Sequence, residues 1–105
     1  MTAAPRVTLP CVVRTLRDAD VPYVLECWVQ TERRHTRASN EHIRALARER
    51  LASHGARVAV VPDDADAILG FACVDRRSAR VLMAYVRRAA RGMGICRQLF
   101  AKGNS

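Results

Sequence analysis

Aromatic residues are scarce in this chain: one Trp, two Tyr and two Phe among 105 residues. Half of the residues are hydrophobic, so the core must be aliphatic, built from Val, Leu, Ile and Ala. That composition is globular and not disordered. No apolar run approaches the about 20 residues that a membrane span needs, and the N-terminus lacks the apolar core of a secretory signal. A cytoplasmic protein without membrane contact is therefore expected. Nothing reads as Cys-x-x-Cys. Cys11, Cys27, Cys73 and Cys96 are scattered, and His35, His42 and His54 stand at no metal-ligand offset from them. Zinc is not expected, and the thiols read as small packed hydrophobes. There is no internal repeat, low-complexity tract or linker. The length corresponds to one small domain, able to bury roughly two-thirds of its unfolded surface.

What the chain has in excess is positive charge. Eighteen basic against ten acidic side chains give a formal net charge of +8. That balance points to a polyanionic partner or an anionic ligand. The arginines are spread from Arg6 to Arg97 and not massed in a tail. A nucleic-acid binder would need aromatic platforms or a reading motif, and neither is present.

Met1–Pro10 carries two prolines and little pattern, and reads as a loose, flexible lead-in to a single domain over 11–105. Cys11–Leu16 is β-branched and short, a first strand. Asp18-Ala19-Asp20 turns the chain, with Asp20 a candidate N-cap and Pro22 tolerated in the first helical turn. Val21, Val24, Leu25, Trp28 and Val29 then form one face of an amphipathic helix. Ser39 or Asn40 can cap a second helix with Ile43, Leu46, Ala47 and Leu51 facing inward, ended by His54-Gly55. Strands follow at Arg57–Val61, Ala67–Val74 and Arg80–Val86, joined by turns at Pro62-Asp63-Asp64 and Arg76-Arg77-Ser78. Met93–Ala101 reads as a last short helix. The order β-α-α-β-β-β-α predicts an α+β fold with a mixed or antiparallel sheet and flanking helices.

The last strand runs into Arg91-Gly92-Met93-Gly94-Ile95-Cys96. A strand, a glycine-punctuated turn and a helix start form a device for holding phosphate, because glycine lets the backbone approach the anion and the first helical N–H groups point at it. A P-loop would need Gly-Lys-Ser/Thr, which is absent. A dinucleotide fingerprint would need a third glycine where Arg97 stands, early in a βαβ unit. The spacing Arg-x-x-Gly-x-Cys, with Val86 five residues before Arg91, resembles the acyl-CoA loop of the GCN5-related N-acetyltransferases. That family's signature is Gln/Arg-x-x-Gly-x-Gly/Ala, from which Cys96 departs. The element order resembles the family's first two-thirds, and Val13–Leu16 leading into Asp18–Pro22 resembles its approach to the first helix. The likeness covers residues 11 to 102.

The resemblance implies an acyl-CoA N-acyltransferase-like fold and an acetyl-CoA cofactor. Backbone N–H groups of Gly92, Met93, Gly94, Ile95 and Cys96 would receive the pyrophosphate, with Arg91 at the signature's Gln/Arg position and Arg88 and Arg97 adding charge. Tyr85 and Val86 would lie along the pantetheine arm, and a backbone N–H near Tyr85–Arg87 would serve the oxyanion. The family's fold continues into a fifth strand and a tyrosine acid, so a domain lacking its C-terminal part is expected. Glu26, Glu32, Asp75 and Tyr85 are the catalytic candidates by location. Two functions follow: an N-acetyltransferase acting on an amine, incomplete or completed by a partner, or a non-catalytic structural or assembly module. A Trp in the first helix followed by a charged segment also resembles short phage-encoded members, for which a particle component is one setting. An open last strand would invite a second copy or another protein to pair with it.

Overall fold

The computed structural model describes residues 8–101. Strand β1 (Val12–Thr15) leads through a 3₁₀ turn at Asp18–Asp20 into helix α1 (Val21–Glu32), then helix α2 (Asn40–His54). Strands β2 (Arg57–Val61), β3 (Asp64–Val74) and β4 (Val81–Val86) follow, then a 3₁₀ turn at Arg88–Ala90 and helix α3 (Ile95–Leu99). This is the expected order of elements. The strands pair in sequence order, β1-β2-β3-β4, and every pairing is antiparallel. Among the described residues no helix is long and apolar enough to cross a membrane.

Helices cover both faces of the sheet, which is why the middle of β3 is apolar without alternation. On one face, Val24, Leu25, Trp28 and Val29 of α1 and Ile43, Ala47 and Leu51 of α2 pack on Val58, Val60, Phe71, Cys73 and Met83. On the other, Ile95 and Leu99 of α3 pack on Ala59, Leu69 and Ala72. Gly70 makes close packing possible where β3 passes β4. A Cβ there would lie 2.6 Å from the Tyr85 carbonyl oxygen, 3.3 Å from Val86 Cα and 3.4 Å from Ile95 Cγ2. The nearest of these are backbone atoms, which cannot step aside cheaply. Gly70→Ala is expected to cost about 1–3 kcal/mol in urea unfolding, and to disturb the end of β4.

Five expectations change. Strand β3 begins at Asp64, inside the expected turn, and not at Ala67. Cys96 is exposed and not a packed thiol. Leu46 is 38% exposed and not an inner-face residue. It stands about 100° round the helix from the centre of the Ile43–Ala47–Leu51 stripe. Ser39 caps α2 by accepting the His42 N–H at 3.1 Å, whereas Asp20 makes no capping bond to α1. Its carboxylate turns back to Arg14 and the Arg17 N–H, a charged partner outcompeting a helix end where Pro22 already lacks a donor. Helix α3 begins at Ile95 and not Met93, because Gly92 and Gly94 sit at φ +78° and +80°. Residues 1–7 of the expected lead-in lie outside the described residues, as do 102–105. Leu9, at the lead-in's end, donates its N–H to the Met93 carbonyl at 2.9 Å and accepts from Gln98 Nε2 at 2.9 Å.

Candidate functional site

The turn after β4 is fixed from below. Ala90, Ile95 and Leu99 are buried against the sheet, and the two left-handed glycines carry residues 91–94 over them. Among the described residues, no acceptor takes the N–H of Gly92, Met93, Gly94, Ile95 or Cys96. The Met93 carbonyl, by contrast, is occupied by Leu9, so the loop is held by its oxygens and leaves its donors free. Gly92, Gly94, Ile95 and Cys96 border a cavity of about 420 Å³, lined also by Thr8, Val86, Arg91 and Arg97; Met93, expected with them, does not line it. Successive free amides of this kind attract an anion.

Strand β4 is an edge of the sheet among the described residues. The Arg87 N–H is spent on the Leu69 carbonyl at 2.7 Å. Antiparallel ladders alternate, so the N–H and C=O of Val86 and Ala84 face the open edge. Of the expected oxyanion donors near Tyr85–Arg87, the Val86 N–H is therefore the outward one. The Val86 carbonyl accepts Arg91 Nε at 2.9 Å, which fixes that guanidinium across the strand end.

On the opposite face of the sheet a second cavity, about 560 Å³, opens between α1 and the end of β4. Tyr23 and Cys27 of α1, Tyr85 of β4 and Arg91 line it, so Arg91 borders both spaces. The Tyr85 ring stacks on Phe71 with centroids 5.2 Å apart and planes 26° from parallel. Tyr23 is 39% exposed, yet the water lost from its buried part, with the neighbouring Cys27 thiol adding to it, pushes it up to about 12. Tyr85 is raised as well, again by burial first and then by Cys27. Both phenols therefore keep their protons at neutral pH and can donate them.

The expected site residues divide between these spaces. Tyr85 and Glu26 line the α1-side cavity, and the Glu26 carboxylate pairs with Arg44 at 2.8 Å. Val86, Arg91, Gly92, Gly94, Ile95, Cys96 and Arg97 border the loop cavity. Arg88 does not; it lies on the α1 side, where the 3₁₀ turn after β4 carries it across the sheet. Glu32 lines neither cavity and ends α1, its carbonyl accepting the His35 and Thr36 N–H groups. Asp75 belongs to the β3–β4 turn, where it accepts the Arg77 and Ser78 N–H groups at 2.8 and 3.3 Å. Those backbone donors hold its carboxyl below the usual range. It borders a third cavity, about 600 Å³, between the sheet and the end of α3. Neither Glu32 nor Asp75 is thus in place to act with Tyr85.

Sequence reasoning missed Tyr23, Cys27 and Arg34 as a group. The signal was their spacing: Tyr23, Cys27, Gln30 and Arg34 step by four, three and four, a second stripe beside the apolar one. Among the described residues no three His, Cys, Asp or Glu side chains gather around a common point.

No protein-family model and no curated protein matches the chain. Among solved structures it is similar to an acetyltransferase of Trypanosoma brucei, with TM-score 0.51 and 18% identity, over 86% of this chain and 69% of that one. At that identity the likeness shows the fold, an acetyltransferase-like one.

Proposed function

With an acetyltransferase-like fold as the premise, we propose that this chain binds an acyl-CoA and transfers its acetyl group to an amine. One observation carries the reading. Amides from Gly92 to Cys96, unpaired among the described residues, on one side of β4, and a cavity with two tyrosines on the other, adjoin at Arg91 beside a strand that is a sheet edge among the same residues. The amides and Arg97 fit a diphosphate. The outward N–H and C=O of Ala84 fit an extended, amide-bearing arm, which leaves the Val86 N–H for the acyl oxygen.

When bound, the thioester supplies an activated acetyl carbonyl. Val86 offers its N–H to the oxygen where negative charge develops. Tyr85 or Tyr23 holds a proton for the departing sulfur. Glu26 takes the proton that the amine releases, directly or through water; this role is supported by its position on the wall of the same cavity.

Titration calorimetry with acetyl-CoA tests the reading. Micromolar binding is expected, weakened at least tenfold by Cys96→Trp, which fills the loop cavity from an exposed helical position without backbone strain. Gly94→Trp is expected to abolish it. An absence of heat at high protein concentration sinks the enzyme reading. It would leave the second one, a non-catalytic scaffold whose β4 pairs with a strand of another chain, a reading supported by β4 being a sheet edge among the described residues.

A further inference from the structure

We propose that the acceptor amine of this reaction also carries an anionic group, a carboxylate or a phosphate monoester, held by Arg34 and Arg88. The inference rests on the acetyl-transfer reading and names its substrate class. Arg34 follows the end of α1, and Arg88 opens the 3₁₀ turn after β4. These separate elements bring both side chains to the wall of the cavity that contains Tyr85. Among the described residues neither guanidinium has an acidic partner; the ion pairs are Arg14–Asp20 and Arg44–Glu26. The second of these matters here. Glu26 is the carboxylate lining the cavity, and Arg44 already offsets its charge.

The cavity thus presents two uncommitted guanidiniums, with Arg91 a third cation whose Nε is tied to the Val86 carbonyl. Its volume of about 560 Å³ suits a small molecule. A guanidinium offers paired N–H donors in the geometry that carboxylate and phosphate accept. The same charges repel a polyamine, so the cavity selects against one class as it favours the other. The amine end then lies towards Tyr85, and the anionic end towards Arg34 and Arg88.

Calorimetry of the CoA-saturated protein against four small amines tests this. CoA keeps the glycine loop occupied, so a phosphate cannot register there. Phosphoethanolamine or β-alanine is expected to bind at least tenfold more tightly than ethanolamine, with putrescine weakest; which of the two anions leads identifies phosphate or carboxylate. Arg34→Gln combined with Arg88→Gln is expected to erase the preference and leave CoA affinity within about twofold. Arg34 is exposed, so that substitution alone gives a second variant that folds as the parent does. Equal affinities, putrescine binding most tightly, or no binding by any amine overturns the proposal. So does a double variant that loses CoA affinity tenfold and keeps its amine preference, since the arginines then serve the nucleotide. If CoA itself gives no heat, the acetyl-transfer reading has failed. The amine series without CoA, run on the parent and on the double arginine variant, then decides this one: a preference for the anionic amines that survives the loss of both arginines overturns it, since the open glycine loop is then the binder.

Discussion

Asp20→Ala is expected to lower the unfolding free energy by about 3–5 kcal/mol, the range found when one partner is removed from a buried ion pair. The pair is two-pronged: Arg14 Nη1 meets Asp20 Oδ2 at 2.7 Å and Nη2 meets Oδ1 at 3.0 Å. The side chains are only 13% and 7% exposed. Arg14 also donates to the Thr15 and Ala65 carbonyls, and the Arg17 N–H donates to the same carboxylate. One cluster therefore ties β1, the turn into α1 and the start of β3. Without the carboxylate, a guanidinium stays buried with no counter-charge, and its Nε already lacks an acceptor among the described residues. Each kcal/mol shifts the melting temperature of a domain this size by about 4–8 °C, so the variant should melt at least about 12 °C lower.

The same cluster sets an acid limb. Hydrogen bonds from Arg14 hold the Asp20 carboxyl below its usual range; burial opposes this, and the Arg17 N–H adds to it. An unfolded aspartate titrates near about 3.9. Between the two values the unfolded chain binds the extra proton, so the stabilisation is complete above about pH 4 and is lost as pH falls through the folded value. Urea unfolding of Asp20→Asn at pH 7 and pH 3 should show less change between the two than the parent protein shows.

Local pattern was enough for much of this molecule, and the failures share a cause. The Val21–Val29 stripe, the Ser39 cap and the strand at Arg57–Val61 depend on neighbours within a few residues, and each falls where periodicity places it. The amides at Gly92–Cys96, free among the described residues, are local too, although the positive φ of Gly92 and Gly94 moves the helix start from the expected Met93 to Ile95. Asp20 is different: its choice of Arg14 over the helix end depends on β1 lying beside the turn. The α1-side cavity depends on how α1 sits against β4, which brings Tyr23 and Cys27 to Tyr85 across more than fifty residues. Arg88 and Arg91 are three positions apart, yet only Arg91 borders both cavities, because the 3₁₀ turn between them passes over the sheet's edge.

Phe71→Ala is expected to cost about 3–5 kcal/mol as well, and to reach the site through one side chain. Phe71 is fully buried at the centre of β3, between the sheet and the two long helices, and its ring is the platform on which Tyr85 lies. Truncation removes both core volume and that platform. Phe71→Leu keeps most of the volume and should fold, while still removing the stacked ring. The chain has two tyrosines, so absorbance titration reads both directly. In the parent, ionisation should lag above pH 10, with Tyr23 reaching about 12. Raised folded values mean that the fold holds these protons more tightly than the open chain does. Their stabilising contribution is therefore intact below about pH 10 and fades as pH climbs through the folded values. Phe71→Leu should bring one tyrosine back towards 10. Val58→Ala, in the same core but on β2, should lower stability without moving either titration. If the two variants titrate alike, Phe71 is core filling only, and the link from the sheet's interior to the Tyr85 phenol is broken.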